Sequence, residues 1–532
     1  MTDGEPAAPL PDRAWCPTVH SSRCREAAAL VLFGSTGDLT RRKLLPAIYS
    51  LTADGLLPCG LPIVCVGRRY ADRDALLGDL RAGVEQFARR RPPDEDLWRR
   101  IADRIHYVRG GLHEDTTYRT LGEVLHWAGT ECDPDLGRLF YLATPPEHFP
   151  VLLASLKRHG LAGDAAKGKG WARVVIEKPF GTDSATSRAL NELVHRLYAD
   201  EQVFRMDHYL GKETLQNLLV LRFANAIFEP IWDGRHIRHV EITVAETAGV
   251  EARGAYFDSA GIVRDIVQNH MLQMLALVAM EPPVSMDPDD LAQGKLTVLK
   301  SLCRMAPDEI DRHTVRGQYG RGIVEGSAAR AYREEPHVAA DSRIETYAAL
   351  RVYLDNWRWA GVPFYLRAGK RLAKRTTEIV VAFRRAPHLL FGGDRESLEA
   401  NRLVLRIQPD EGVQLLVSAK EPGPGVKIAP VALDFDYAEA FSHEPPEAYE
   451  RLILDALLGD HALYARGDVI EAAWDFVTPI LEHWAGDDEG PQEYAAGSGG
   501  PAEADRLIAE TGDQWHETGG PPAPQPPDPQ GC

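Results

Sequence analysis

Between residues 28 and 205, short apolar runs alternate with amphipathic helical stretches, and this alternation constrains the fold more than any other feature. AAALVLF (27–33), PIVCVGRR (62–69), GRLFYLATPP (137–146) and WARVVIEKPFG (171–181) read as buried strands. The first breaks into a glycine turn at Gly34, and the last two end in Pro- or Gly-containing loops. LWRRIADRI (97–105) and HFPVLLASLKRHG (148–160) read as helices between them. Strands alternating with helices predict an α/β domain on a doubly wound parallel sheet.

Beyond about residue 205 the pattern changes. KETLQNLLVLRFANAIF (212–228) predicts one long helix. HVEITVAET, YAALRVYLD, TEIVVAFRR, NRLVLRIQP and GVQLLVSAK then show a period of two, several without a helix between them. That pattern predicts an α+β domain with a large, mainly antiparallel sheet. Helices at 448–464 and 468–484 are available to cover it. Residues 1–27 and 517–532 are Pro-rich and are expected to be disordered. The expected organisation is therefore a lead at 1–27, a first domain at 28–205, a second at 206–516 and a tail at 517–532.

The chain has 532 residues and a net charge of −18, which argues against nucleic acid as a partner. No run approaches the roughly 18 apolar residues of a membrane helix, so no membrane partner is expected. No basic-then-apolar leader is read at the start, and the seven cysteines form no CxxC pair. Reduced cytoplasmic thiols and no metal site are the expectation.

Gly34-Ser35-Thr36-Gly37-Asp38-Leu39 separates the first strand from a helix. Glycines there let a pyrophosphate approach the backbone, although the spacing is not the standard GxGxxG and an ordinary strand-to-helix turn stays open. Arg68 and Arg69 follow the second strand, where an acid would hold the 2′-hydroxyl of NAD. Arginine suits the 2′-phosphate of NADP, with NAD left open as a secondary cofactor.

Two polar clusters follow. In FRMDHYLGKE (204–213), a helix beginning near 208 would set His208 and Lys212 on one face, with Tyr209 adding a hydroxyl for a phosphate. A solvated helix start fits the same residues. In RDIVQNHMLQMLALVAM (264–280), Asp265 and His270 enter an apolar helix. A lone histidine there is an ordinary core residue unless a carboxylate from elsewhere orients its ring. Lys178 in IEKPFG, and Lys370 and Arg375 around GKRLAKR, are basic points that taken singly read as surface charge.

Taken in order, GSTGDLTRRKLLPAIYSL, RLFYLATPP, IEKPFGTD, DHYLGKE, GIVRDIVQNHMLQM and WAGVPFYLRAGKRL resemble the glucose-6-phosphate 1-dehydrogenases, from about residue 29 to 516. DHYLGKE and RDIVQNH are highly specific to that family; the glycine turn is not. The resemblance implies a Rossmann domain followed by the antiparallel-sheet domain. It implies NADP-dependent oxidation of glucose 6-phosphate to 6-phosphogluconolactone, the entry step of the oxidative pentose phosphate pathway. His270 matches the general base and Asp207 its partner carboxylate. His208, Tyr209 and Lys212 match phosphate ligands. Lys178 matches a lysine near substrate and nicotinamide, and Pro179 a proline in the loop linking the two sites. Glu246, Asp265 and Lys370 match groups on the sugar oxygens, with Arg375 at the same site and Gln408 in the substrate shell. Gly34, Gly37, Asp38 and Arg68 match cofactor positions, within the turn that also holds Ser35, Thr36 and Leu39. A homodimer or homotetramer formed through the sheet domain is likewise implied.

Three departures stand out. Met206 replaces an aliphatic β-branched residue, Phe149 a tyrosine near the cofactor, and Gly499 a tryptophan carried by many relatives. Two other readings are open at this stage. One is a dehydrogenase of another sugar or sugar phosphate, which intact 208–212 disfavours. The other is a catalytically silent regulatory homologue, which intact Lys178, Asp207 and His270 disfavour.

Overall fold

The computed structural model describes residues 28–58, 60–131, 135–388, 390, 399–441 and 446–516. The lead at 1–27 and the tail at 517–532 lie outside the described residues. The chain divides into two compact units. The first runs to Ile176 and adds Tyr198–Val203 and Ile453–Asp460; the second holds Glu177–Leu197, Phe204–Leu452 and the chain from His461.

The first unit carries β1 (Ala28–Phe33), β2 (Ile63–Gly67), β3 (Ile105–Arg109), β4 (Gly137–Leu142), β5 (Ala172–Ile176) and the first residue of β6 (Val203–Arg205), in a six-stranded sheet ordered β3-β2-β1-β4-β5-β6. β1 pairs in parallel with β2 (Leu30↔Ile63) and with β4 (Leu30↔Leu139). β1 and β5 are buried throughout, as strands covered on both faces must be. The expected doubly wound sheet is present, and its order reverses between β1 and β4, where open α/β sheets bind ligands. The helix expected over 97–105 stops at Ala102, and its last residue, Ile105, begins β3. Arg173 on β5 donates to the carbonyls of Ala456 (3.0 Å) and Leu457 (2.7 Å), which ties Ile453–Asp460 to this unit.

The glycine turn lies at that reversal. Gly34 has φ 79°, and a Cβ there would stand 2.3 Å from the Ala143 carbonyl oxygen at the end of β4. Only glycine tolerates both conditions. The turn leads into a π-helical turn, Thr40–Leu44, continued by the helix Leu45–Ala53.

In the second unit lie β7 (Ile237–Ala245), β8 (Thr314–Gly320), the small hairpin β9 (Gly322–Val324) and β10 (Ser327–Ala329), β11 (Tyr347–Val352), β12 (Phe364–Gly369), β13 (Thr376–Phe383), β14 (Arg402–Gln408), β15 (Gly412–Lys420), β16 (Ile428–Asp436) and β17 (Gln492–Ala495). Apart from the hairpin they form one nine-stranded sheet, β16-β15-β14-β13-β7-β12-β11-β8-β17. It is mainly antiparallel, as expected, with parallel pairs only at β7/β12 and β8/β17. The segment Val263–Met271 packs on the central strands β7 and β12. The helix Gly467–Gly486 packs in turn on that segment and on the helices Pro288–Lys300 and Ser184–Leu197. The long helix expected over 212–228 is shorter, Glu213–Phe223, and a 3₁₀ turn follows at Glu229–Ile231. No helix among the described residues is long and apolar enough to cross a membrane.

Replacing Gly34 by alanine forces a positive φ on an L-residue and pushes its methyl into the Ala143 carbonyl. The expected cost is about 2–4 kcal/mol. A lower Tm for Gly34→Ala by calorimetry checks it; an unchanged Tm would show that the turn relaxes without strain.

Candidate functional site

Gly261, with φ 71°, breaks the helix that precedes the central segment, and a Cβ there would meet the Glu345 carboxylate at 2.3 Å. Glu345 then holds the start of the segment. Its carbonyl accepts from Ile262 N (3.0 Å) and its Oε1 from Val263 N (3.3 Å). Val263–Met271 continues as a π-helix, a wider coil that recurs at functional sites. Asp265, Gln268 and His270 all point from it into buried surroundings.

His270 is fully enclosed. Its Nδ1 lies 2.5 Å from Asp207 Oδ1, and its Nε2 lies 2.9 Å from Lys178 Nζ. A carboxylate only accepts and an ammonium only donates, so the hydrogen sits on Nδ1 and the lone pair on Nε2. Lys178 spends its other two protons on the Asp265 carbonyl (2.6 Å) and Asp265 Oδ1 (3.3 Å). Asp207 is held by its own turn, where its Oδ1 accepts from Tyr209 N (3.0 Å) and its carbonyl from Leu210 N (3.0 Å). The Tyr209 ring stacks on the imidazole at 4.0 Å, and the His208 ring meets its edge at 4.7 Å.

The turn corrects one expectation. His208 and Lys212 do not share a helix face. Residues 208–211 form a turn, and the helix begins only at Glu213, with Lys212 as its N-cap. Asp207 diverts the backbone by bonding the amide two residues on, which competes with helix formation. Lys212 still bears on His208 as a repelling charge.

Around this centre, Gln408 Nε2 donates to Tyr209 Oη (3.2 Å) and Thr377 Oγ1 (3.0 Å). Lys370 and Glu246 form an ion pair at the ends of the parallel strands β12 and β7, and Lys370 also lies over the Phe257 ring at 5.1 Å. Its charge reaches Asp265. Arg375 is exposed just before β13, and its charge bears on Tyr209. Thr377 and Tyr449, whose ring stacks on His208 at 5.9 Å, belong to this neighbourhood and carried no local signal. A β-strand threonine and a helix tyrosine look like packing residues until the fold sets them beside the cluster.

Electrostatics sort these groups. Burial opposes the Asp207 charge, but His270, His208 and Lys178 outweigh it and hold the carboxyl at about 2. Burial lowers His270 against the pull of Asp207, and Lys178 lowers it further. Burial, joined by repulsion from His270 and Lys178, puts His208 well below the usual histidine value. Both histidines are therefore neutral at pH 7. Asp207, His208 and His270 bring possible metal-ligand atoms within 4.8 Å of one another. The ring nitrogens of His270 are already committed to Asp207 and Lys178.

In the first unit, Ser35 Oγ donates to the Val66 carbonyl (3.0 Å) and Gly37 N to the Gly34 carbonyl (2.9 Å), which fixes the glycine turn beside the end of β2. Thr36 lines the same corner, since a Cβ on Gly67 would stand 2.7 Å from its methyl. Leu39 is half-buried behind the turn, and exposed Asp38 pairs with Arg42 at 3.5 Å. Arg68 is exposed directly after β2 and forms no ion pair among the described residues, while Arg69 lies over the Tyr70 ring. A close-approach turn next to an uncommitted arginine, with no carboxylate at the end of β2, fits a dinucleotide carrying a 2′-phosphate. Phe149, where a tyrosine was expected, is fully buried at the start of its helix.

Comparison with known proteins agrees with this layout. Residues 31–217 match the glucose-6-phosphate dehydrogenase NAD binding domain, and residues 219–516 match the C-terminal domain of the same family. A glucose-6-phosphate 1-dehydrogenase of Chlamydia pneumoniae is 43% identical over 93% of this chain and 97% of its own length. A glucose-6-phosphate 1-dehydrogenase 2 of Mycobacterium bovis is 45% identical over 91% and 94%. A glucose-6-phosphate dehydrogenase solved in complex with glucose 6-phosphate superposes with a TM-score of 0.83 at 36% identity, covering 92% of this chain and 99% of that one. The Mycobacterium avium enzyme gives a TM-score of 0.80 at 37% identity, covering 93% and 99%.

The two depressed histidines have a consequence for stability. Below 6.5, their ordinary value, the unfolded chain binds protons that the folded site refuses. Folding stability therefore falls as pH drops through that value. The Asp207 contribution is present above 3.8 and is lost only as pH falls toward about 2. Between about pH 7.5 and 5 the Tm should fall, and His208→Asn or His270→Asn should flatten that fall. An equal slope in both variants would contradict the assignment.

Proposed function

The chain belongs to the glucose-6-phosphate dehydrogenase family, and from that premise we propose how its residues carry out the reaction. It oxidises glucose 6-phosphate at C1 to 6-phosphogluconolactone with NADP. His270 Nε2 takes the proton of the C1 hydroxyl, which displaces Lys178 from that lone pair. Asp207 holds the ring in the required tautomer and stabilises the imidazolium that forms. The observation that carries this reading is the His270 ring held at both nitrogens, by Asp207 and by Lys178.

Lys178 stays beside the reacting oxygen and steadies its developing charge. Lys212 and Arg375 supply positive charge for the phosphate in a chain of net −18, while neutral His208 and Tyr209 add hydrogen bonds. Glu246, Asp265 and Lys370 receive the sugar hydroxyls, and Gln408 supports Tyr209. The glycine turn Gly34–Leu39, Arg68 and Lys178 would hold NADP, which would supply the hydride acceptor.

Steady-state assays with glucose 6-phosphate, run in parallel with NADP and NAD, test the whole reading. His270→Asn should lower kcat at least about 10²-fold with little change in KM. Lys212→Ala should raise KM for glucose 6-phosphate far more than for free glucose. Near-normal turnover in the first variant, or equal effects on both sugars in the second, would sink the respective role.

The reading extends to assembly and compartment. β16 ends the large sheet and exposes Val431, Leu433 and Phe435 on alternate positions, at 41%, 57% and 36%. An apolar edge of this kind suits a second copy of the chain, giving a homodimer or homotetramer. Leu433→Asp should shift the particle to monomer in light scattering, and an unchanged mass would exclude this edge. Cys65 and Cys303 are free thiols, in keeping with a cytoplasmic enzyme.

A further inference from the structure

Behind Asp207 lies a polar arrangement that proton transfer at His270 does not use. Asp207 Oδ2 and Gln273 Oε1 are both buried, and neither has a hydrogen-bond donor among the described residues. Both residues line one cavity of about 20 Å³, together with Gln268, Asn269, Phe180, Met206, Ala465 and Ile470. Lys178 also borders it, but its three protons are already given to Asp265 and His270. Two acceptors cannot satisfy each other, and a buried acceptor left unmet destabilises the fold. One water needs roughly 10–15 Å³ of such space and donates twice.

Gln273 stands at the start of the helix Leu272–Ala279, three residues past His270, and is itself buried. It is therefore carried on the same continuous helical rod as the base. We infer that Gln273 is a positioning residue for the Asp207–His270 pair, acting through one buried water that donates to Asp207 Oδ2 and Gln273 Oε1. The second hydrogen bond fixes the plane of the carboxylate, so that Oδ1 stays on Nδ1. It also spreads the carboxylate charge and moderates the basicity of the imidazole. Lys295, buried on the helix Pro288–Lys300, is lowered to about 8 by burial, against the pull of the Asp207 charge. This inference rests on the proposed role of Asp207 and His270.

Two substitutions test it in the full-length enzyme. Gln273→Met keeps the volume and removes the acceptor; Ala465→Val fills the cavity and leaves Gln273 in place. His208, Tyr209, Lys178, Asp265 and Lys295, the charged and titratable groups facing the pair from its other sides, are unchanged in both. Each variant should lower kcat about tenfold while KM for glucose 6-phosphate stays within about twofold. Without the donor to Oδ2, the neutral-imidazole state loses more stabilisation than the imidazolium state. The acid limb of kcat/KM should therefore move up by about half to one pH unit. If either variant fails to fold, the other carries the test. A lowered Tm with kcat and the acid limb unchanged would make Gln273 a packing residue and overturn the inference. His270→Asn run alongside separates the cases: a dead His270→Asn with normal Gln273→Met rejects only the water-mediated role, whereas an active His270→Asn rejects the underlying assignment.

Discussion

The hydrogen bond between His270 Nδ1 and Asp207 Oδ1 is the constraint on which the rest of the site depends. It joins two segments 63 residues apart in the chain. Because a carboxylate only accepts, the bond decides where the imidazole keeps its hydrogen, and so leaves the lone pair on Nε2. Each partner needs its own scaffold. A tight turn at 207–210 aims the carboxylate, and a π-helical segment seated on β7 and β12 and tied to Glu345 aims the ring.

Charge is distributed with a purpose around that bond. The chain is acidic overall, yet Lys178 and Lys212 bear on His208, Lys370 on Asp265 and Arg375 on Tyr209. Burial, helped by Lys178, keeps His208 and His270 neutral at pH 7, and Lys178 helps to keep Asp207 ionised against burial. A neutral imidazole whose Nδ1–H is held by a carboxylate keeps a lone pair on Nε2. The first unit solves a different problem. Its glycine turn lies where the parallel sheet reverses order, and Gly34 lets the backbone there approach the end of β4 closely.

Strands buried on both faces were easy to read, since β1, β2, β4 and β5 are nearly unbroken apolar runs. β3 was hidden because Ile105 follows directly on an amphipathic helix pattern, with only a two-residue turn between. β16 was missed for a related reason: its alternating residues expose their apolar side, which blurs the contrast a half-buried strand normally shows. The helix expected at 208 failed because the Asp207 side chain captures the Tyr209 amide, a local bond that outcompetes helix propensity.

The motifs DHYLGKE and RDIVQNH, with the alternation of strands and helices, were enough to indicate the family, the order of the domains and the residues of interest. Those are properties of local pattern, and local pattern is carried by the chain itself. What the chain could not decide alone was the standing of His270, which in its own segment is a histidine on a buried helix. Only the tertiary structure put Asp207 on one ring nitrogen and Lys178 on the other, and set Tyr449 and Thr377 beside them. The physical reason is that a tautomer and a pKa depend on neighbours in space within a few ångströms, and sequence distance carries no information about them.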